Sequence, residues 1–110
     1  MRTITAIATV SAASNRESAP IDLGDSIGYS VHTVISGADI AGTLKLQSSN
    51  DNTNWVDVAN SSVSITSAAD NMHDISNAQY RYVKVVWTAT SGTGNMTCTF
   101  IGKDPYIGRV

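Results

Sequence analysis

The chain has 110 residues, of which 42% are hydrophobic and 15% charged, and a formal net charge of −2. That is room for one domain with a workable core, and it is too apolar and too weakly charged for a disordered chain. The seven basic residues are scattered from Arg2 to Arg109, so the clustered Lys and Arg that meet nucleic acid or an anionic membrane are absent and neither is an expected partner.

Short runs of period two, separated by turn residues, fill the chain. Ile4 to Val10 reads as a first strand with Ile4, Ala6, Ala8 and Val10 on one side. After the polar stretch Ser11 to Glu17, Pro20 suits an edge or a strand start before Ile21 and Leu23. In Ser26 to Ile35, alternation sets Ile27, Tyr29, Val31 and Ile35 against Gly28, Ser30 and His32. Gly42 to Ser49 points Leu44 and Leu46 inward, and the turn formers Asn50-Asp51-Asn52-Thr53-Asn54 follow. Trp55 to Val58 and Val63 to Ile65 are short strands, and Ser64 to Asn71 has room for one helical turn before a weak strand, Met72 to Ile75. Tyr80 to Thr88 is rich in β-branched and aromatic residues, and Ser91 to Asn95 turns the chain into a last strand, Met96 to Ile101. About eight strands at roughly ten-residue spacing predict an all-β, antiparallel, jelly-roll-like β-sandwich. The chain reads as one domain over 1–110 with extended segments at 1–10 and 103–110.

Catalytic equipment is sparse. His32 shares a strand face with Ser30 but has no strand–turn–helix context for a nucleophile, and His73 lies beside Asp74 in the weakest strand. Both are expected to be exposed and non-catalytic. Most carboxylates fall in turns (Asp22, Asp25, Asp39, Asp51, Asp70, Asp104), where Asp caps backbone locally, so no acid–base pair stands out. Gly92-Thr93-Gly94 leads into a strand rather than the helix N-terminus a phosphate loop needs. Cys98 is the single cysteine, so no internal disulfide forms, and alternation with Met96 and Phe100 places it in the core. One Cys and two distant His offer no zinc spacing. Asn50, Asn52 and Asn54 have the alternation of a calcium loop, but Trp55 stands where glycine is needed and no Glu closes it, which favours a plain hairpin turn. No metal and no cofactor are expected, nor an enzyme.

Two sets of residues are candidates for contacts. Trp55, Tyr80 and Tyr82 could form an exposed aromatic platform for a ligand, whereas Trp87 belongs with Val83 and Val85 in the core. Ile4 and Ile7 near one end, and Pro105, Tyr106, Ile107 and Val110 near the other, would be wasted in solvent. These are expected to meet a neighbouring subunit, by strand addition or by docking of apolar side chains. The start of the chain lacks the continuous apolar run of a signal peptide, so synthesis in a cytoplasm is expected.

The segment Leu44 to Val58, with its Ser-Asn-Asp turn and Trp55, resembles the hairpin of discoidin-like and galactose-binding-like sandwiches. Tyr80-Arg81-Tyr82-Val83-Lys84-Val85 is similar to the strand that follows it in those domains. Joined to Trp87 through Gly94, the same signatures resemble small structural proteins of tailed bacteriophages. That resemblance implies a virion protein: a capsid decoration or cement protein, or a minor head or neck component. It would be a homo-oligomer, a closed ring such as a trimer, partnered by major capsid or other virion proteins. The competing expectation is a carbohydrate-binding module using Trp55, Tyr80 or Tyr82.

Overall fold

A computed structural model describes residues 2–24, 26–37 and 39–103. The strands are β1 (Arg2–Ser11), β2 (Arg16–Glu17), β3 (Ile21–Asp22), β4 (Gly28–Ser36), β5 (Ala41–Ser49), β6 (Val56–Asp57), β7 (Val63–Ile65), β8 (Ala69–Ile75), β9 (Tyr82–Ser91) and β10 (Asn95–Lys103). One sheet, here called A, has the order β1-β10-β4-β8. In the other, sheet B, β9 and β5 are central, β2 and β3 flank β9, and β6 and β7 flank β5. All pairings are antiparallel. Taking β2 with β3 and β6 with β7 as interrupted single strands leaves eight positions. The chain then changes sheet at every connection except the β5–β6 hairpin, which is the strand order of a jelly roll.

Period-two alternation fills the space between the sheets. Val31, Leu44, Leu46, Val85, Trp87, Cys98 and Phe100 are fully buried, and the indole Nε1–H of Trp87 donates to the Ala12 carbonyl at 2.8 Å. Cys98 is in the core as expected, beside the Thr33 hydroxyl at 3.2 Å, and burial pushes its thiol pKa up. Gly42 lies where a Cβ would come within 2.6 Å of the Trp87 ring, so the indole can lie flat against β5 only over a glycine.

Several expectations are corrected. In β1 the ladder to β10 shifts register between Thr5 and Ile7 and again between Ile7 and Val10. Those bulges turn Ile7 into the core and leave Ala8 exposed. Ile27 precedes β4 instead of belonging to it and is 44% exposed. The stretch expected to hold a helical turn is extended, because β8 begins at Ala69 to pair with Ile35. His73, expected on the surface, is buried. Its Nε2–H donates to the Ser61 carbonyl at 2.7 Å and its Nδ1 accepts from the Asn71 amide at 3.2 Å. Both ring nitrogens are therefore satisfied where water is excluded.

Two buried serines repair the interrupted edges of sheet B. Ser18 lies between β2 and β3, its N–H donating to the Val85 carbonyl at 2.9 Å while its Oγ accepts from the Val85 N–H at 2.9 Å. Ser61 lies between β6 and β7, and its Oγ meets both the N–H and the C=O of Leu46, at 3.1 and 3.2 Å. Val85 and Leu46 are partners in the β5–β9 register, so one row of the sheet is closed at both ends by serine hydroxyls.

Each sheet edge is guarded against further pairing. Pro20 breaks the β2–β3 edge, the five residues 58–62 break the β6–β7 edge, two bulges bend β1, and Asp70 and Asp74 put charge along β8. Replacing Ser61 with Ala leaves the buried Leu46 N–H without an acceptor, and Ser18→Ala does the same to Val85. Urea denaturation is expected to show a loss of about 1–3 kcal/mol for each variant.

Candidate functional site

Three loops meet at one end of the sandwich: the one between β3 and β4, the β5–β6 turn, and the one between β8 and β9. The Leu23 N–H donates to the Arg81 carbonyl at 2.7 Å, the Ala78 N–H to the Ile27 carbonyl at 2.7 Å, and the Arg81 N–H to Asn50 Oδ1 at 3.0 Å. Residues far apart in sequence are thereby tied into one rigid surface.

Tyr80 sits at its centre. Its hydroxyl pairs with that of Tyr29 at 2.5 Å, and the two rings meet edge to face at 6.3 Å. Tyr29 in turn stacks on Phe100 at 5.5 Å. Burial, then the bond to Tyr80, drives the Tyr29 phenol pKa far above its ordinary value. Tyr80 is raised by burial, with the bond to Tyr29 acting the other way. Because Tyr80 precedes β9 and turns toward Tyr29, it does not join Tyr82 on the outer face of that strand.

The Asn50–Asn54 segment is a capped turn. Asp51 accepts from the backbone N–H of Asn54 at 2.8 Å and of Thr53 at 2.9 Å, from the Asn54 side-chain amide at 2.8 Å, and from Ser49 Oγ at 2.9 Å. These bonds hold its carboxyl well below the usual carboxylate range. Asn52 takes a left-handed φ of 60°, which Asn tolerates better than most residues. Both oxygens of Asp51 thus serve the turn. Among the described residues no three His, Cys, Asp or Glu groups gather to hold a metal.

Two clefts open around Tyr80. One, of about 520 Å³, is lined by Asp22, Ser26, Asn50, Gln79, Tyr80 and Arg81. The other, of about 340 Å³, is lined by Ser48, Asn50, Asp51, Asn54, Val56 and Tyr80. A third, more apolar cleft of about 440 Å³ lies against Ile27, Ile75 and Ile101.

The expected aromatic platform is divided. Lys84 Nζ lies 4.6 Å from the centre of the Trp55 ring and forms an ion pair with Glu17 at 3.1 Å. Arg81 lies 5.2 Å over Tyr82 and 3.3 Å from Asp22. Trp55 and Tyr82 are thus each covered by a cation, and Tyr80 stands apart from both. Of the expected subunit contacts, Ile7 faces its own core and Ile4 packs half-buried against it, whereas Pro105, Tyr106, Ile107 and Val110 lie outside the described residues. His32 is exposed at the centre of sheet A.

The two outer faces of the sandwich differ. Sheet B carries ion pairs, including Lys45 to Asp57 at 3.2 Å, besides those of Lys84 and Arg81. On sheet A the register aligns the outward rows Thr3–Ile101–Ser30–Asp74, Thr5–Thr99–His32–Met72 and Thr97–Val34–Asp70. Met72 and Val34 are 59% and 41% exposed, and the two carboxylates of these rows lie on the β8 edge.

No family model and no curated protein sequence matches the chain. Among solved structures, the chain is similar to the SPBc2 prophage-derived protein YomS, with a TM-score of 0.63, 16% identity, and coverage of 93% of this chain and 92% of that one. It is also similar to the PBSX exported protein XepA, with a TM-score of 0.71 and 17% identity over 99% of this chain. The chain spans 39% of the length of XepA. The fold is one that prophage-derived proteins also adopt. The discoidin-like reading of the hairpin gains no support from these neighbours.

The tyrosine pair makes stability depend on alkaline pH. Native Tyr29 and Tyr80 hold their protons more tightly than in the unfolded chain, so their contribution is present below the ordinary tyrosine pKa of 10.0 and is lost as pH rises above it. The urea midpoint is expected to hold up to about pH 9 and to fall as pH rises from about 10 toward 12. Tyr29→Phe should lower stability by about 1 kcal/mol at neutral pH and flatten that decline.

Proposed function

We propose that the chain is a structural protein of a bacteriophage particle, either a capsid decoration or cement protein or a minor head or neck component. It acts through contacts with copies of itself and with major capsid or other virion proteins. The observation that carries this reading is the outer face of sheet A. It is rich in Thr and exposes Met72 and Val34, with Ile101 half-buried beside them and its two carboxylates along the β8 edge. The outer face of sheet B is dressed for water with paired charges. The fold likeness to prophage-derived proteins supports the same reading.

The size of the face bears on how such contacts work. Four strands by three rows cover roughly 400 Å², about half of what one partner contributes to a standard stable interface. One contact of this size is weak. Many copies on a repeating surface, or a closed ring such as a trimer, make it effective. Edges guarded by bulges and carboxylates favour docking by faces over strand addition. Residues Pro105, Tyr106, Ile107 and Val110 are proposed as a second contact.

Size-exclusion chromatography with light scattering tests the reading, together with co-sedimentation on phage shells. The wild-type chain is expected to assemble or to bind shells, and the double variant Val34→Lys, Met72→Lys to lose both while its thermal midpoint stays close to wild type. A wild-type chain that is monomeric and leaves shells in the supernatant overturns the proposal.

A further inference from the structure

We propose that the cleft around Tyr80 is a binding site for a neutral saccharide. The walls are built before any ligand arrives. Arg81 N–H on Asn50, Leu23 N–H on the Arg81 carbonyl and Ala78 N–H on the Ile27 carbonyl hold the three loops together, so little ordering is left to oppose binding.

Charge narrows the class of ligand. The guanidinium of Arg81 is paired with Asp22, and the carboxylate of Asp51 is taken up by its own turn. Among the described residues neither cleft is lined by an unpaired cation of the kind that a phosphate or an acidic polymer needs. Apart from Gly24, Ala78, Val56 and Tyr80, the remaining lining is made of amides and hydroxyls, among them Gln79, Ser26, Ser48, Asn54 and the Asn50 side chain, whose Oδ1 is engaged while its Nδ2 has no partner among the described residues. Donors and acceptors of this kind match a polyol.

Tyr80 supplies the complementary apolar surface. It lines both clefts, it is half-buried, and the bond from its hydroxyl to Tyr29 fixes the ring. A pyranose ring has an apolar face that stacks on an aromatic ring and an equatorial belt of hydroxyls, and a chain of sugars could run from one cleft to the other past Tyr80. The site assigned here centres on Tyr80, Asn50 and Gln79. Trp55 and Tyr82, lying under Lys84 and Arg81, are outside it.

Titration of the intact chain with maltotetraose, cellotetraose and chitotetraose, followed by saturation-transfer NMR and calorimetry, tests the assignment. At least one of the three is expected to bind. Gln79→Ala should weaken it several-fold and Tyr80→Ala by about tenfold or more, with Trp55→Ala at the wild-type value. Tyr80→Phe keeps the ring and should retain most of the affinity, which separates loss of stacking from loss of fold. Absence of binding by all three sugars overturns the proposal, as does binding that Trp55→Ala abolishes while Gln79→Ala and Tyr80→Ala leave it unchanged. None of these readouts depends on assembly, so failure here leaves the particle reading to its own test.

Discussion

Leu46 and Val85 face each other across the middle of sheet B, with their backbone groups pointing away from one another toward the two edges. At both edges the chain has just broken out of regular pairing. A buried N–H or C=O left there without a partner would cost about as much as a substantial part of the stability of a small domain. Ser18 and Ser61 solve the problem from opposite sides by bringing a hydroxyl where a strand would have brought a peptide. The Ser61 carbonyl also receives His73 from β8, so the repair of one sheet fastens it to the other. The interrupted edges can then carry loops freely, because their hydrogen bonding no longer depends on unbroken strands.

Much of the architecture was legible because strands with one buried face write their geometry into the sequence every second residue. Leu44 and Leu46 inward, Trp87 with Val83 and Val85, and Cys98 between Met96 and Phe100 all follow from that rule. It failed where the rule itself is suspended. The bulges in β1 moved Ile7 inward, and a strand starting two residues late left Ile27 outside. His73 was illegible for a different reason. A polar side chain becomes a core residue only when its partners arrive, and Ser61 lies twelve positions away with no local sign of the meeting. The cleft around Tyr80 was half visible. The tyrosine was picked out as an aromatic able to meet a ligand, but its separation from Trp55 and Tyr82 depends on the bond to Tyr29, 51 residues earlier.

The sandwich divides its surface by chemistry. Its sheet B face balances charge locally and stays wet, its sheet A face exposes methyl and thioether groups among hydroxyls, and one end gathers amides around a fixed ring. Each of these follows from where the strand order places residues that are remote in sequence. The β5–β6 turn, held by Asp51, is the exception, built almost wholly from neighbours.

The place of β10 has a consequence for how the molecule comes into being. β10, made after the other nine described strands, lies between β1 and β4, in the interior of its sheet. Sheet A therefore cannot close as the chain emerges from the ribosome. β1, synthesised first, must wait for residues 95–103 before its register exists, whereas the β5–β6 hairpin can form as soon as it is free. Contacts so distant in sequence place the chain among slow folders, on the scale of milliseconds to seconds. During that wait the long, nearly uncharged β1 is without its partner, and the bulges that bend it in the finished protein cannot yet protect it.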